Sequence, residues 1–475
     1  MSPFAGLPPR RRELAARSQI RDGHLIHGAR VAVFDDDPTG SQCVSGCSVV
    51  TDAQDVAEIE RGLARVGSTC FVWTNTRSLP PLAASEVNAT VARGIWDFSL
   101  RTAAPVEIVS RSDSTLRGHV VEEIATLNSV RRQVSGKGYD GVLFVPSYFE
   151  AGRCTVGDIH LAQVRKAWTP VAETEFARDA TFGYGSSNLR NFLSEKSAGA
   201  IDASQVKSVS IEDIRVGGRA RVGEILCTAP SGSWFVINAT CYEDLDIVAL
   251  AAMDTIRTGR SLVYRTGPSF VQVIAGLPAE PPLNHRQLWP DGRVGGNGLV
   301  VVGSHVGLTT RQIAVAREAG GLDCVELDVD AILGQRRRSN VEHVVRQVAE
   351  RLRRSDVMLM TSRAPRRDPD PEKSLKIARA VSQGIVDVVR GVRSRSEPGW
   401  VVAKGGITSH DVAVGGLGIR RAVVAGQLLP GYVSVLRSAD GAGGFLGPYV
   451  VFAGNVGDES TLAYVVAMLR GRAHA

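Results

Sequence analysis

Short apolar, β-branched runs recur along this chain, and each breaks off into a polar turn. Ala29–Phe34 (ARVAVF) ends in three aspartates. Cys70–Trp73 leads into Thr74–Arg77, Val106–Val109 into Ser110–Asp113, and Val142–Val145 into Pro146–Tyr148. Runs of this length suit strands of a parallel sheet buried on both faces. Ala83–Leu100 and Val120–Val134, lying between them, read as helices. Strands alternating with helices predict an α/β sheet. The polar residues gather just past the strand ends, the edge at which open α/β sheets bind ligands.

The pattern continues with a strand at Trp234–Ile237 and a helix at Glu243–Arg257. Residues 276–298 (GLPAEPPLNHRQLWPDGRVGGNG) then hold four prolines and a glycine cluster, the composition of a linker. Beyond it, strands are expected at Leu299–Val302, Val357–Thr361, Trp400–Ala403, Ala422–Val424 and Tyr449–Phe452, with helices at Thr309–Ala319 and Glu372–Arg390. The expectation is a polar, partly helical extension over 1–28, an α/β domain over 29–275, a linker over 276–298 and a second α/β domain over 299–475. Both sheets should be mainly parallel, with a cleft between the domains.

A chain of 475 residues, 44% hydrophobic, has enough apolar material for each half to bury its own core. The net charge of +6 raises a nucleic-acid reading, but the basic residues form no stripe interleaved with aromatics. The densest basic runs, Arg10–Arg12 and Arg336–Arg338, read as solvated surface, and a mild positive charge helps to steer anionic substrates. Seven cysteines without C-x-x-C spacing argue against zinc and for a reducing compartment. No apolar run follows the charged N-terminus, and no stretch approaches membrane-spanning length, so a cytoplasmic protein is expected.

The chain has neither a G-x-x-x-x-G-K-[ST] loop nor a G-x-G-x-x-G after a strand. Other clusters carry candidate chemistry. Asp35-Asp36-Asp37-Pro38-Thr39-Gly40 places three mutually repelling carboxylates after a buried strand. Such a group serves a cation, a sugar hydroxyl or proton transfer, though a capped turn would use the same residue types. Arg111 to His119 (RSDSTLRGH) offers arginines and hydroxyls that could clamp a carboxylate and several hydroxyls, or merely begin a helix. Glu150 to Gly157 is polar and glycine-spaced and leaves its role open. In the second half, Gly303-Ser304, Lys404 to Ser409 and Gly454 to Asp458 each follow a strand. Glycines there let backbone N–H groups approach phosphate oxygens.

In this order, the clusters resemble the four-carbon acid sugar kinase family over nearly the whole chain from about residue 29. The family's D-D-x-T-G signature stands as Asp36, Asp37, Thr39 and Gly40, and its D-S-T-L-R-G motif as Asp113 to Gly118. FEAGRCTVGDIH at 149–160, TPVAETEFARDATF at 169–182, Gly303-Ser304, GGITS at 405–409 and GNVG at 454–457 look like the family as well. Asn238 departs from the pattern, standing where many relatives are expected to carry aspartate. Phe452-Ala453 occupies the place of a lysine found in some of them.

The resemblance implies an N-terminal domain that binds the sugar acid, a C-terminal domain that binds ATP, and phosphoryl transfer to the terminal hydroxyl of threonate, erythronate or an oxo-tetronate. Asp36 or Asp37 would be the catalytic carboxylate. Asp113, Ser114, Thr115, Arg117 and Arg153 would hold the substrate. Gly303, Ser304, Gly405, Gly406, Ile407, Thr408, Gly454 and Asn455 would line the nucleotide. Mg²⁺ would bridge phosphate oxygens, with no dedicated protein metal site. No nucleic-acid or membrane partner is expected, and a homodimer is the default expectation for assembly. The competing readings are a sugar-acid dehydrogenase or isomerase, which would want a nicotinamide fingerprint or a metal triad, and a non-catalytic nucleotide- or sugar-acid-binding protein.

Overall fold

The computed structural model describes residues 3–471 except 291, 293–294, 364–365, 367–370, 430, 440–443 and 455. The chain divides into two compact units, Met1–Glu280 and Pro281–Ala475.

The first unit is built on a sheet of parallel strands. In chain order these are β1 (Arg30–Asp35), β2 (Ser48–Val50), β3 (Thr69–Trp73), β4 (Val106–Arg111) and β5 (Gly141–Val145). A separate antiparallel sheet follows, made of β6 (Arg153–Val156), β7 (Ile159–Val164) and β8 (Ala167–Pro170). β9 (Lys207–Val209), β10 (Ser233–Ile237) and β11 (Leu262–Thr266) then rejoin the main sheet. Its spatial order is β2-β3-β1-β4-β11-β5-β10-β9, every pair parallel. Helices Pro81–Thr102 and Val120–Ser135 bury Ile95, Val91 and Leu127 against Ala32, Phe34, Val72 and Ile108 of the strands. Helix Tyr242–Arg257 is buried along most of its length, which explains its near-continuous apolar run. Within the expected N-terminal extension, Ala16–Ile26 is a helix fixed to this unit: Arg17 Nη1 donates to the Leu277 carbonyl at 2.6 Å, and Arg17 also pairs with Asp246.

The second unit contains β12 (Leu299–Val302), β13 (Leu322–Leu327), β14 (Asp356–Thr361), β15 (Val401–Lys404), β16 (Arg421–Leu429), β17 (Val433–Ser438) and β18 (Tyr449–Phe452). The order β13-β14-β12-β15-β18 is parallel, and β17 and β16 follow antiparallel. Helix Thr461–Leu469 covers a core of Val300, Met358, Val402, Val450 and Phe452. Leu283, Leu288 and Trp289 belong to the same core. The later part of the stretch expected to be a linker is therefore packed structure, with a capped helix at His285–Leu288. Leu283, Leu288 and Trp289 within it are buried.

The α/β reading holds in both units, and the expected strands fall within two residues of those observed except at β16, which extends to Leu429. Among the described residues no helix is long and apolar enough to cross a membrane.

Candidate active site

β1 lies between β3 and β4, so the turns leaving these three strands sit side by side. β1 ends in the aspartates, β4 ends in Arg111, and Arg77 comes just after β3. Arg111 Nη1 lies 2.9 Å from Asp35 Oδ1 and 3.7 Å from Asp36 Oδ1. Arg77 lies 2.5 Å from Asp36 Oδ1 through Nη2 and 3.4 Å from Asp37 Oδ2 through Nη1. Two guanidiniums thus offset the mutual repulsion of three adjacent carboxylates. Gly40 is required here because a Cβ would overlap the Asp35 carboxylate.

The three carboxylates differ in character. Burial pushes the Asp35 carboxyl up to about 7, with Arg111 opposing it. For Asp37, burial works upward too, but Arg77 and the Thr39 hydrogen bonds outweigh it and hold the carboxyl below its usual range. Those bonds run from Thr39 N and Oγ1 to Asp37 Oδ1 at 2.9 and 2.6 Å. The Asp36 side chain is 1% exposed and that of Asp37 is 20%, so of this pair Asp37 has the carboxylate that solvent reaches.

Beyond β4, the D-S-T-L-R-G turn is wound around Asp113. Its carboxylate accepts from Thr115 N at 3.0 Å, Thr115 Oγ1 at 2.5 Å and Arg117 Nε at 2.6 Å. Burial opposes ionisation of Asp113, but Arg117, Arg77 and Thr115 together hold it well below the ordinary carboxylate range. Leu116 takes φ 68° and sinks into the core beside Phe144 and Phe192. A leucine in the left-handed region is held only by its surroundings.

Gly118 has φ +119°, and a Cβ there would sit 3.0 Å from Asp36 Oδ2 and 3.4 Å from Arg265 Nη2. Arg265, at the end of β11, is fully buried, with Nη1 on Glu123 Oε2 at 2.8 Å and on Ser110 Oγ at 2.5 Å. Arg153, on β6, reaches Ser114 Oγ at 3.4 Å. The Arg117 and Arg153 guanidiniums both cover the Phe176 ring, at 5.4 and 5.5 Å from its centroid. His160 anchors the turn, its Nε2 on the Ser114 carbonyl at 2.7 Å and its Nδ1 on Thr155 Oγ1 at 3.0 Å. The departing residue Asn238 is buried and hydrogen-bonded to Asp158 N, Asp158 Oδ1 and the Val209 carbonyl at 2.8, 2.8 and 3.0 Å, which is a structural role.

In the second unit, the turns after β12, β15 and β18 converge. A Cβ on Gly303 would overlap the Thr408 hydroxyl, one on Gly405 (φ +121°) would meet Thr408 Oγ1 at 3.3 Å, and one on Gly454 would meet Ser304 Oγ at 2.7 Å. Thr309 ties two of the turns: its hydroxyl donates to the Gly454 carbonyl at 2.9 Å and is hydrogen-bonded to Ser304 Oγ at 3.1 Å. Gly406 opens the helix Gly406–Asp411, Ile407 is exposed, and Thr408 is buried. Asn455 lies outside the described residues. Lys404 is wholly buried, donates to the Ala453 carbonyl at 2.7 Å and stands 3.5 Å from the Phe452 ring centroid. Burial brings its ammonium down to about 7. Arg363 donates to the Ser304 carbonyl at 2.7 Å and to Thr310 Oγ1 at 2.8 Å.

The structure therefore groups Asp36, Asp37, Asp113, Ser114, Thr115, Arg117 and Arg153 in the first unit. It groups Gly303, Ser304, Gly405, Thr408 and Gly454 in the second. Arg77, Arg265, Phe176 and Arg363 were not among the candidates, and Lys404 was named only as the start of its glycine turn. Arg77 and Lys404 follow or end recognised strands and were open to assignment. Arg265 lies one residue before the end of a strand whose short run did not stand out.

Three polar turns of glycine and hydroxyl residues, one with an arginine on its carbonyl, form a cradle suited to phosphate oxygens. Among the described residues no group of three or more His, Cys, Asp or Glu side chains could hold a metal ion. Asp458, at the last of these turns, accepts from Ser460 N at 3.0 Å and Thr461 Oγ1 at 2.9 Å. Asp458 is thus engaged within its own turn.

Comparison with known proteins matches a sugar-binding N-terminal domain family over residues 31–274 and a nucleotide-binding C-terminal domain family over residues 299–462. A D-threonate kinase of Salmonella typhimurium is 24% identical over 411 residues, covering 84% of this chain and 88% of that protein. Among solved structures, a Haemophilus influenzae protein has TM-score 0.59 at 17% identity, covering 92% of this chain and 100% of its own. A Salmonella typhimurium protein described as a tRNA synthase has TM-score 0.63 at 16% identity, covering 92% and 98%. At such identities the structural matches speak for the fold alone.

Proposed function

This chain belongs to the family that joins a sugar-binding N-terminal domain to a nucleotide-binding C-terminal domain, the four-carbon acid sugar kinase family its motifs resemble, and on that premise we propose that it is an ATP-dependent kinase acting on the terminal hydroxyl of a four-carbon sugar acid. The observation that carries the reading is the pairing within one unit of an ionised, solvent-reached carboxylate, Asp37, with two guanidiniums that flank a common ring, Arg117 and Arg153. A small polyol acid needs both kinds of group: cations for its carboxylate and an acceptor for the reacting hydroxyl.

In this reading Arg117 and Arg153 receive the substrate carboxylate. Asp113, bound to Thr115 and Arg117, fixes the direction of the Arg117 fork. Asp37 accepts the hydrogen of the terminal hydroxyl. Its lowered pKa makes it a weak base, which suffices because phosphoryl transfer runs through a loose transition state in which the hydroxyl proton departs late. The substrate oxygen bonds to the γ-phosphorus, the bond to the β-γ bridging oxygen breaks, ADP leaves, and the proton passes to Asp37 and then to water. Arg77 keeps Asp37 and Asp36 in place through the transfer.

The turns at Gly303-Ser304, Gly405–Thr408 and Gly454, with Arg363, receive the phosphates, and Ile407 offers an apolar surface to the base. Mg²⁺, when bound with the nucleotide, neutralises phosphate charge. The acid and the nucleotide must meet at reaction distance with water excluded. No membrane or nucleic-acid partner is needed for this chemistry, and a cytoplasmic supply of ATP serves it.

The test is ADP release with ATP and Mg²⁺ against D- and L-threonate, D- and L-erythronate and their oxo forms. At least one should give turnover well above the ATP-only rate. ATP binding without turnover on any of them would favour a binding protein instead.

A further inference from the structure

A cavity of about 440 Å³ opens in the first unit at the opposite edge of the sheet from the turns described above. It is lined by Ala29, Val106 and Leu262, at or just before the starts of β1, β4 and β11. The far ends of those strands carry Asp35, Arg111 and Arg265. Strands of this length separate the two places by roughly 15–20 Å, so the cavity is not an extension of the acid site. Its size falls within the range of small-molecule pockets.

Much of the wall is apolar, with Trp96, Met253, Ile256 and Leu262 among the lining residues. Arg131 lies over two aromatic rings, 5.1 Å from the Trp96 centroid and 4.8 Å from that of Tyr139. Its Nε reaches the Gly138 carbonyl at 3.4 Å, and no carboxylate among the described residues pairs with it. Arg260 uses its Nη atoms on the Cys227 and Ala229 carbonyls at 3.0 and 2.8 Å, and its buried Nε has no hydrogen-bond partner among the described residues. Arg257 is offset by Asp254 at 3.4 Å.

The carboxylate that lines the cavity, Glu107, is already engaged. It accepts from the Tyr264 hydroxyl at 3.1 Å and stands 3.5 Å from His24 Nδ1. His24 Nε2 donates to the Ile274 carbonyl at 2.7 Å, so Nδ1 and Glu107 face each other as two acceptors unless a proton lies between them. Burial raises the Glu107 carboxyl, which favours keeping that proton. The cavity therefore offers cations without a free anion, beside an apolar wall.

We infer that this cavity binds a small organic anion, a single carboxylate or phosphate on a flat apolar body, with its charge on Arg131 and its body against Trp96, Met253 and Ile256. This site is independent of the kinase reading. A guanidinium held flat by two rings presents its edge to a carboxylate at little entropic cost, and in an apolar wall that pairing is stronger than in water.

The test uses para-iodobenzoate on the full-length protein, by calorimetry and by iodine anomalous scattering from soaked crystals. Saturable binding at millimolar concentration or below is expected, with the iodine peak in this cavity. Para-iodobenzyl alcohol and acetate, which each lack half of the ligand, should bind at least about tenfold more weakly. Arg131→Gln should weaken iodobenzoate by at least about tenfold, whereas Asp37→Asn should leave it unchanged and an excess of D-threonate should not displace it. An iodine peak elsewhere, equal binding of the alcohol, loss on Asp37→Asn, or no saturable binding would overturn the inference. The scattering experiment needs no variant, so it decides even if Arg131→Gln fails to fold.

Discussion

Gly118 shows how one missing side chain organises the acid turn. Its φ of +119° excludes ordinary residues, and the space it leaves borders both Asp36 Oδ2 and Arg265 Nη2. Gly118→Ala should destabilise the protein by about 1–3 kcal/mol through backbone strain, and should lower kcat more than it raises the KM for ATP. Urea midpoints and steady-state kinetics check the two halves. His160 supplies a pH dependence. Burial, only partly offset by its bond to Ser114, brings its pKa from 6.5 down to about 4. Between those values the unfolded chain binds more protons than the folded one, so stability rises with pH. The contribution is complete above about 6.5 and is lost as pH falls toward 4, about 3 kcal/mol in all. His160→Gln should flatten the urea-midpoint profile over that window relative to wild type.

At the scale of the element, strands that open into functional turns were legible because their apolar runs are continuous and their turns carry unmistakable residue types. β1 with Asp35–Asp37 and β15 with the Lys404–Ser409 turn are examples. Elements whose burial comes from tertiary neighbours were not legible. β11 is five residues with arginine in its interior, and the sequence has no way to announce that Glu123 and Ser110 will receive that charge. No strands were expected over β6 to β8, because this small antiparallel sheet is partly exposed and lacks a continuous apolar run. Arg77 lay in view after β3, but its pairing to Asp36 depends on which strands become neighbours. The glycine turns yield a prediction at this scale. Gly454→Ala puts a Cβ 2.7 Å from Ser304 Oγ, so the KM for ATP should rise about tenfold or more while that for the acid stays within a few-fold. Separate titrations of the two substrates check it.

At the scale of the whole molecule, two families matched in tandem assign sugar and nucleotide to different units. That division predicts separable defects. Arg117→Ala removes a cation from the proposed carboxylate site and should raise the KM for the acid by about ten- to a hundredfold, with ATP binding close to wild type. A matching loss of ATP affinity would mean that Arg117 supports the fold more than the substrate. The division of the chain also explains why the 276–298 stretch was hard to read. Its composition is that of a connector, but Leu283, Leu288 and Trp289 are claimed by the second core, a partnership formed with residues more than a hundred positions away.

The most direct measurement is the turnover of Asp37→Asn with the best tetronate from the ADP-release screen. The amide keeps the size of the side chain and the Thr39 contacts at its oxygen, but removes the charge that receives the hydroxyl proton. A fall in kcat of about a hundredfold or more, with ATP binding retained, is the predicted result. Turnover within a few-fold of wild type would contradict the account.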